Sequence, residues 1–249
     1  MKLSKDQELV CGINAINEII SIRPDSVSTL FFEEEKGGRI EKLRKLAKEK
    51  NIEVVFQNAP FFQKNFSDMN HQGVAIICNK RLEENENFLE NIVKKDKLLL
   101  LILEHITDPH NVGACIRSAA AAGVDAVIVP KNRSCHLTPT VRKISSGGAE
   151  LIPFIVVTNI VRTINKLKSE GVMIYGTDIE ASQLHDEISY SDKSALIIGS
   201  EEKGLKRLTL ENCDEIIKIK MPGRIESLNA SVSTGIMLFQ MINQNRTKS

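Results

Sequence analysis

Short apolar runs, separated by turns and helical segments, constrain the fold of this chain most strongly. Leu98–Leu103 reads LLLLIL, which is typical of a strand buried on both faces of a sheet. Further strand-like runs lie at 124–129, 152–157, 172–175, 195–198 and 215–219. Helical patterns lie between or after them at 111–122, 158–170 and 228–241. This alternation predicts an α/β domain with a parallel sheet that helices cover on both faces.

Residues 1–78 predict a second, smaller α/β domain. Apolar residues recur at helical spacing near 12–20, and a charged helix is expected at 39–50. Short strands are expected at 29–32, 52–56 and 73–77, in a strand-helix-strand order. Residues 79–96 are rich in glutamate and asparagine and predict a charged, solvated linker whose middle can be helical. We therefore expect domains at 1–78 and 97–249, joined by this linker.

The composition bounds the class of protein. The 249 residues are 42% hydrophobic and 26% charged, with a net charge of +1, as in an ordinary globular protein. The five cysteines are scattered and form no CxxC pair, so we expect neither a disulfide framework nor a metal site. The chain shows no signal-peptide core and no apolar run near the length of a membrane span. These features predict a cytoplasmic protein without a membrane partner.

The segment NVGACIR, from Asn111 to Arg117, follows a predicted buried strand and opens a helix. Asp108, Pro109 and Asn111 are ordinary turn and helix-start residues, so local structure accounts for them. Arg117 is less ordinary, because it stands among small apolar residues. A structural ion pair is one interpretation. The functional interpretation is an arginine directed at a phosphate or sugar oxygen.

Residues 131–149, KNRSCHLTPTVRKISSGGA, contain no acidic side chain. Four basic residues lie there, accompanied by hydroxyl side chains that suit phosphate contacts: Lys131, Arg133, Arg142 and Lys143. A solvated loop and helix face is the plain alternative. In a chain of nearly balanced charge, we favour a surface that binds an RNA backbone.

Two further motifs lie at predicted strand ends. GSEEKG, from Gly199 to Gly204, follows a buried strand, and ligands of parallel sheets bind at such ends. Gly199 would allow close approach of a ligand, although an ordinary strand-turn-helix corner explains the same pattern. SLNAS, from Ser227 to Ser231, contains two candidate helix caps, and capping explains one of them.

The three motifs NVGACIR, GSEEKG and SLNAS together resemble the signature motifs of the SpoU (TrmH-like) 2′-O-ribose methyltransferases of the SPOUT superfamily. The resemblance covers about residues 98–243. GINA at 12–15 and HQGV at 71–74 also resemble a ribosomal-protein-like substrate-binding domain found in one branch of the family. That branch methylates a guanosine ribose in bacterial large-subunit rRNA.

This resemblance implies several properties that spacing alone does not. The catalytic domain would have a deep C-terminal trefoil knot, and the enzyme would be a homodimer whose active sites are completed across the interface. S-adenosylmethionine would bind mostly to backbone groups, at Gly199, Ile219 and Leu228, with Met221 beside them. The one visible departure is Ala230, where the family commonly has valine.

The matching positions also imply catalytic roles. Arg117 would position the sugar-phosphate and stabilise developing negative charge, since a guanidinium is effectively never deprotonated. Four residues would orient the ribose and hold Arg117: Asn111, Glu201, Ser227 and Asn229. We therefore expect S-adenosylmethionine-dependent methylation of a guanosine 2′-hydroxyl in 23S rRNA. Two alternatives remain open, a tRNA 2′-O-ribose methyltransferase and a non-catalytic RNA-binding protein of ribosome assembly.

Overall fold

The computed structural model describes residues 3–34, 38–67 and 70–247. The chain divides into two compact units. The first comprises residues 1–82 together with 146–151, and the second comprises 83–145 with 152–249. The division after residue 82 falls inside the segment for which the sequence predicts a linker.

A four-stranded sheet forms the centre of the first unit, with the order β1-β4-β2-β3. Strands β2 and β3 are parallel, whereas β4 is antiparallel to both β1 and β2. The elements are β1 Gln7–Cys11, α1 Ile13–Ile22, β2 Val27–Glu33, α2 Arg39–Glu49, β3 Val54–Gln57, α3 Ala59–Phe66 and β4 Val74–Asn79. The sequence predicts α1, α2 and three of these strands, and it does not predict β1 or α3.

Both faces of this sheet are covered. Helices α1 and α2 pack on one face, where Ile16, Leu43 and Phe32 are fully or almost fully buried. Helix α3 packs on the other face, where Phe62 and Phe66 lie edge to face at 5.2 Å. Clustered aromatic rings bury a large apolar area per residue, which helps so small a unit to form its own core.

A short distant segment completes the first unit. Residues 146–151 contain a helix at Gly148–Leu151, and the Glu150 side chain is buried. Arg23 pairs with Glu150 at 2.7 Å and with Glu8 at 3.3 Å. Buried carboxylates are costly without such a partner, so this arginine joins three separated parts of the chain.

An eight-stranded, entirely parallel sheet forms the second unit, with the order β10-β12-β9-β11-β6-β7-β8-β5. Its strands are β5 Glu84–Asn85, β6 Leu98–Leu103, β7 Ala126–Pro130, β8 Phe154–Val157, β9 Met173–Thr177, β10 Gln183–Leu184, β11 Lys193–Ile198 and β12 Glu215–Lys218. The six strands that the sequence predicts are all present, and the parallel arrangement is confirmed. The two-residue strands β5 and β10 carry no apolar run and were not predicted.

The remaining helices are α4 Leu89–Ile92, α5 Pro109–Ala122, α6 Pro139–Ile144, α7 Gly148–Leu151, α8 Ile160–Ser169, α9 Arg207–Glu211 and α10 Ala230–Thr247. Asp108 caps α5, because its carboxylate accepts from the backbone N–H groups of His110 and Asn111. Gly123 ends α5 in the left-handed conformation, with φ of 72°. In the described part of the chain, no helix is long and apolar enough to cross a membrane.

Residues 84–93 differ from the expected linker. Strand β5 pairs with β8, and Leu89, Ile92 and Val93 are buried in the core of the second unit. Glu90 and Asn91, which lie between them, are exposed. The sequence analysis allows a helix in this segment, but it does not predict that the helix packs in the core, because the apolar positions are few and close together.

Candidate active site

A cavity of about 860 Å³ lies at the carboxyl ends of β9, β11 and β12. It is lined by the last residues of each strand and those directly after them: 177–180 at β9, 198–204 at β11 and 217–221 at β12. Ser227, Leu228, Ala230 and Met237 close a further side. Ligands of parallel α/β proteins bind at this end of the sheet, and the volume suits a ligand of cofactor size.

The loop from Gly199 to Gly204 forms one wall of this cavity. Its ends approach closely, with the Gly204 N–H donating to the Ser200 carbonyl at 2.8 Å. A Cβ atom at Gly199 would lie 2.3 Å from the Gly204 carbonyl carbon and 2.6 Å from the Leu205 nitrogen. Such distances are far below van der Waals contact, so the loop requires glycine at position 199.

Glu104, which the sequence analysis did not single out, fixes the exit of this loop. Its side chain is 2% exposed. One carboxylate oxygen accepts from the Lys206 N–H at 2.9 Å, and the other accepts from the Thr209 hydroxyl at 2.8 Å. Helix α9 has no side-chain cap of its own, so Glu104 supplies that cap from the end of β6. A charged residue directly after a wholly apolar strand was the available signal.

Three residues, one from each sequence motif, meet at the rim of the cavity. The Asn111 amide donates to Glu201 Oε1 at 2.8 Å. The Asn229 amide donates to the same oxygen at 2.6 Å and to Asn111 Oδ1 at 2.8 Å. The Ala230 N–H also donates to Glu201 Oε1, at 3.2 Å. Positions separated by up to 118 residues therefore form one hydrogen-bonded cluster.

The hydrogen bonds determine how both amides are oriented. A carboxylate can only accept, so the atoms that face Glu201 must be the NH₂ groups of Asn111 and Asn229. Ser231 fixes the other end of Asn229, because its N–H and hydroxyl donate to Asn229 Oδ1 at 2.9 and 2.6 Å. The residues of the SLNAS motif thus act on one another as well as on the start of α10.

Arg117 lies on α5, six residues after Asn111, and its side chain is exposed. Six residues of α-helix span about 9 Å along the axis. Within residues 3–34, 38–67 and 70–247, Arg117 makes no hydrogen bond or ion pair, and its side chain is not held by the cluster. The structural ion pair considered above is therefore not formed among these residues.

The other predicted site residues lie at the same cavity. Gly199, Ile219, Met221 and Leu228, which the resemblance implies as cofactor contacts, all line it, as does Ser227. The Ser227 side chain is exposed and has no hydrogen bond to the described residues. The final helix begins at Ala230, so Ser227 lies before the helix and does not cap it.

The basic segment 131–149 is only partly a surface. Lys131, Arg133 and Lys143 are exposed, as expected for groups that contact a phosphate backbone. Arg142 differs from the prediction, because it is 6% exposed and is packed within the protein. Its neighbour Val141 on α6 is buried as well, so this part of the helix is enclosed by the protein.

His136 organises the loop that carries these charges. Its Nδ1 lies 2.9 Å from a Glu83 carboxylate oxygen, and its Nε2 lies 3.1 Å from the Lys131 carbonyl oxygen. Both neighbours are acceptors, which favours a doubly protonated ring. Burial alone would lower the pKa of His136, but the hydrogen bond and charge of Glu83 raise it above its ordinary value.

The cavity fits S-adenosylmethionine by its chemistry. Apolar side chains from Ile198, Ile217, Ile219, Leu228 and Met237 provide a surface for an adenine ring. The loop around Gly199 presents backbone groups that no Cβ shields. Among the described residues, no three histidine, cysteine, aspartate or glutamate side chains are grouped to hold a metal ion.

A parallel α/β unit with a cavity at the strand ends and a polar cluster on its rim defines a cofactor-binding enzyme. The model of the SpoU rRNA Methylase family matches residues 98–239, and the RNA 2'-O ribose methyltransferase substrate binding model matches residues 9–83. The chain belongs to the SpoU rRNA methylase family.

Individual relatives agree with this assignment. The 23S rRNA (guanosine-2'-O-)-methyltransferase RlmB of Xanthomonas axonopodis pv. citri is 40% identical over 245 residues, covering 97% of this chain and 98% of that protein. The SpoU methyltransferase AviRb of Streptomyces viridochromogenes, solved with AdoMet, has a TM-score of 0.79 at 21% identity, covering 97% of this chain and 92% of that one.

A tRNA-modifying relative matches less of the chain. The TrmH/SpoU tRNA modifying enzyme of A. aeolicus has a TM-score of 0.56 at 26% identity. The similarity covers 66% of this chain and 85% of that one. About one third of the present chain therefore has no counterpart in that protein.

Proposed function

We propose that this protein transfers a methyl group from S-adenosylmethionine to the 2′-hydroxyl of a guanosine ribose in 23S rRNA. The observation that carries the proposal is the cluster of Asn111, Glu201 and Asn229 at the rim of the cofactor-sized cavity. A relative that shares 40% identity over nearly the full length has this activity in its name. The proposed compartment is the cytoplasm, where rRNA is made in bacteria.

The chemistry divides between the cofactor and the protein. Bound S-adenosylmethionine supplies a methyl group on a positively charged sulfur. The sulfur is the leaving group, and its positive charge already makes it a good one. The chain must then position the ribose hydroxyl and stabilise it as its proton leaves. Positioning is the task that the hydrogen-bonded cluster suits, because its side chains are fixed before the substrate arrives.

Glu201 is the central acceptor of this arrangement. One carboxylate oxygen accepts from Asn111, Asn229 and Ala230. Within the described chain, no hydrogen bond occupies the second oxygen. We assign that oxygen to the ribose, where it accepts a hydrogen bond from a hydroxyl, with Ser227 as a further contact on the same cavity.

Arg117 has the charge that the reaction requires. An exposed guanidinium without a partner in the described chain can bind a phosphate or stabilise an oxyanion. A guanidinium is effectively never deprotonated in proteins, so the proposed role of Arg117 is positioning and charge stabilisation. Three exposed basic residues extend the proposed RNA contact: Lys131, Arg133 and Lys143.

A homodimer completes the proposal. Val232, Ile236 and Phe239 are 49%, 38% and 42% exposed and recur at helical spacing on one face of α10. Such an apolar stripe is costly in water and suits a subunit interface. Helix α10 packs against α5, the helix of Arg117, through contacts such as Cys115 with Thr234 at 3.4 Å. An interface on α10 therefore lies near the arginine.

The proposed chain path includes the trefoil knot. Strand β12 lies on the far side of β9 from β11, and α10 then returns to pack on α5. Between β12 and α10, residues 219–221 and 227–228 line the same cavity as the Gly199 loop, as a terminus threaded past that loop would. The two ends of the Gly199 loop lie close together, at Gly199 and Gly204.

The N-terminal domain, residues 1–78, is proposed to bind the RNA substrate. Its family model is one of substrate binding, and the tRNA-modifying relative covers only 66% of this chain. This domain favours rRNA over tRNA. A purely binding role is disfavoured because the three-residue cluster and the cavity occur together.

The test is methyl transfer from labelled S-adenosylmethionine to purified large-subunit rRNA and, separately, to bulk tRNA, followed by nuclease digestion. We expect label in 2′-O-methylguanosine from rRNA. Label from tRNA alone would agree with the proposed methyl transfer and contradict rRNA as the substrate. Cofactor binding without label in free rRNA or in assembling large-subunit particles would contradict the enzymatic proposal.

A further inference from the structure

Basic charge in the first unit is concentrated on one helix. Residues 1–78 contain eleven lysine and arginine side chains and eleven aspartate and glutamate side chains. Six of the eleven basic residues fall within 39–50, against two acidic ones, Glu41 and Glu49. The domain is neutral as a whole, yet helix α2 is locally strongly basic, and local fields attract polyanions.

These charges are available on the surface. Lys42, Lys45 and Lys48 are exposed on α2, and Lys50 is exposed directly after it. The opposite side of the helix is apolar, with Ile40, Leu43 and Ala47 buried. Helix α2 therefore presents its lysines outward while its apolar side is committed to the core.

An aromatic platform adjoins this helix. Phe56 lies on β3, the edge strand of the sheet, and is 49% exposed. Its ring stacks on buried Phe32 with centroids 6.1 Å apart and planes at 29°. The Arg44 guanidinium from α2 lies 5.1 Å from the Phe56 centroid and 5.3 Å from that of Phe32.

This arrangement is unusual for a plain solvated surface. A large aromatic residue at an open sheet edge is normally covered, since exposed apolar edges favour aggregation. Here Phe32 and Arg44 hold the ring in place, and Glu41 fixes Arg44 at 3.5 Å. Lys48 follows Arg44 by one helical turn, so the two positive charges lie on the same side of α2.

We propose that Phe56 and the outer face of α2 bind a single-stranded segment of the RNA substrate. An unpaired base stacks on Phe56 beside Arg44, while Lys45 and Lys48 contact the adjoining phosphates. Aromatic faces accept any base, and lysines bind the backbone without regard to sequence. This inference rests on the proposed function for the class of partner and adds the surface that holds it.

Binding of the full-length protein to a fluorescein-labelled, unstructured RNA 20-mer tests the proposal. For the Lys45→Ala/Lys48→Ala variant we expect weaker binding. We also expect the slope of log K against log salt to be shallower by about 1.4, from about 0.7 for each lost phosphate contact. Phe56→Leu keeps apolar bulk on Phe32 but removes the aromatic face, so affinity falls about tenfold with the salt slope unchanged.

Matched controls lie on the same unit. Lys64→Ala removes an exposed lysine from α3, on the opposite face of the sheet, and Ile22→Ala trims an exposed apolar residue that is 47% exposed. Both should bind RNA like the wild type. If the α2 and Phe56 variants also bind within twofold of the wild type, or if the controls weaken binding equally, the proposal is overturned.

The same variants separate this inference from the proposed activity. If RNA binding depends on α2 and Phe56 but the protein methylates neither rRNA nor tRNA, the proposed RNA-binding surface stands and the enzymatic proposal is wrong. If these variants leave both rRNA methylation and RNA affinity unchanged, the enzymatic proposal stands and the proposed RNA-binding surface is wrong.

Discussion

At the scale of single residues, hydrogen bonds hold the polar side chains of the candidate site in fixed orientations. Glu201 gathers three donors on one oxygen, and Ser231 fixes the far end of the Asn229 amide. Fixed amides reduce the entropy lost when a substrate binds. Arg117 differs from them, because within the described chain its side chain has no hydrogen-bonding partner.

Arg117→Ala tests the role of that arginine. We expect methyl transfer to fall by about a hundredfold or more, the scale for loss of one charge-stabilising group, with little change in cofactor affinity. Single-turnover transfer and calorimetric titration of S-adenosylmethionine measure the two quantities. Arg207→Ala, which removes an arginine that is 85% exposed on α9, is the control. Turnover near that of the wild type would contradict the assignment.

His136→Gln tests the pH dependence of the basic loop. The pKa of His136 is raised in the folded protein, so the charged ring stabilises the fold below the unfolded pKa of about 6.5. That contribution is lost as the pH rises through the folded value. We expect the free energy of unfolding of the variant to differ most from that of the wild type near pH 5.5. The two values should converge at alkaline pH.

Hydrogen exchange at the Leu137 amide reports this effect locally, because that N–H donates to Glu83, the partner of His136. Protection at Leu137 should fall with rising pH, after correction for intrinsic exchange, in the wild type. His110→Gln, an exposed histidine, serves as the control. Protection that does not change with pH would show that the His136–Glu83 pair does not hold the loop.

At the scale of elements, the loop after β11 is held at both ends. At the start of the loop, Gly199 allows the backbone of Gly204 to approach closely. Beyond the end of the loop, Glu104 caps α9. The sequence indicates the glycines, since they are local. It does not indicate Glu104 as a partner of α9, because Lys206 and Thr209 lie more than a hundred residues later in the chain.

Gly199→Ala should abolish measurable binding of S-adenosylmethionine. The new Cβ would meet the Gly204 carbonyl carbon at 2.3 Å, so the backbone of the loop must shift. Gly223→Ala is a matched control on the same cavity, because nothing lies within 4 Å of its Cβ position. Equal cofactor affinity in the two variants, measured by calorimetry, would show that the loop is not part of the binding site.

Glu104→Ala and Glu104→Gln separate hydrogen bonding from charge. Alanine leaves the Lys206 N–H and the Thr209 hydroxyl without their acceptor, at a cost of about 1–3 kcal/mol. Glutamine can accept from Lys206 and donate to Thr209. We expect the Kd for S-adenosylmethionine to rise about tenfold in the alanine variant and to stay near that of the wild type with glutamine. Equal losses in both variants would indicate a need for charge.

At the scale of the whole molecule, the two units are not consecutive stretches of chain. Residues 146–151 belong to the first unit, where Arg23 pairs with Glu150. A boundary drawn in the sequence alone cannot place this segment, because its partners lie more than a hundred residues earlier. Any truncation that removes residues 1–78 therefore also removes Arg23, the arginine that pairs with buried Glu150.

Ile236→Glu tests the proposed homodimer. A carboxylate in the middle of the apolar stripe on α10 would be buried without a partner in a dimer, so we expect dissociation into monomers. Sedimentation velocity over a range of concentrations measures the mass. Leu208→Glu, at a residue that is 57% exposed on α9, should leave the dimer intact. A wild-type protein that sediments as a monomer throughout would contradict the proposal.

The sequence by itself determined the long strands of the parallel sheet and the chemistry of the motifs. Apolar runs such as Leu98–Leu103 predicted the parallel strands, because such runs are local in the chain. The resemblance of the three motifs to a known family predicted which residues share a site. Tertiary structure alone decided the rest. It turned Arg142 inward, made Glu104 a cap, and brought Asn111, Glu201 and Asn229 onto shared oxygens. Contacts between distant segments depend on strand order, which no local pattern encodes.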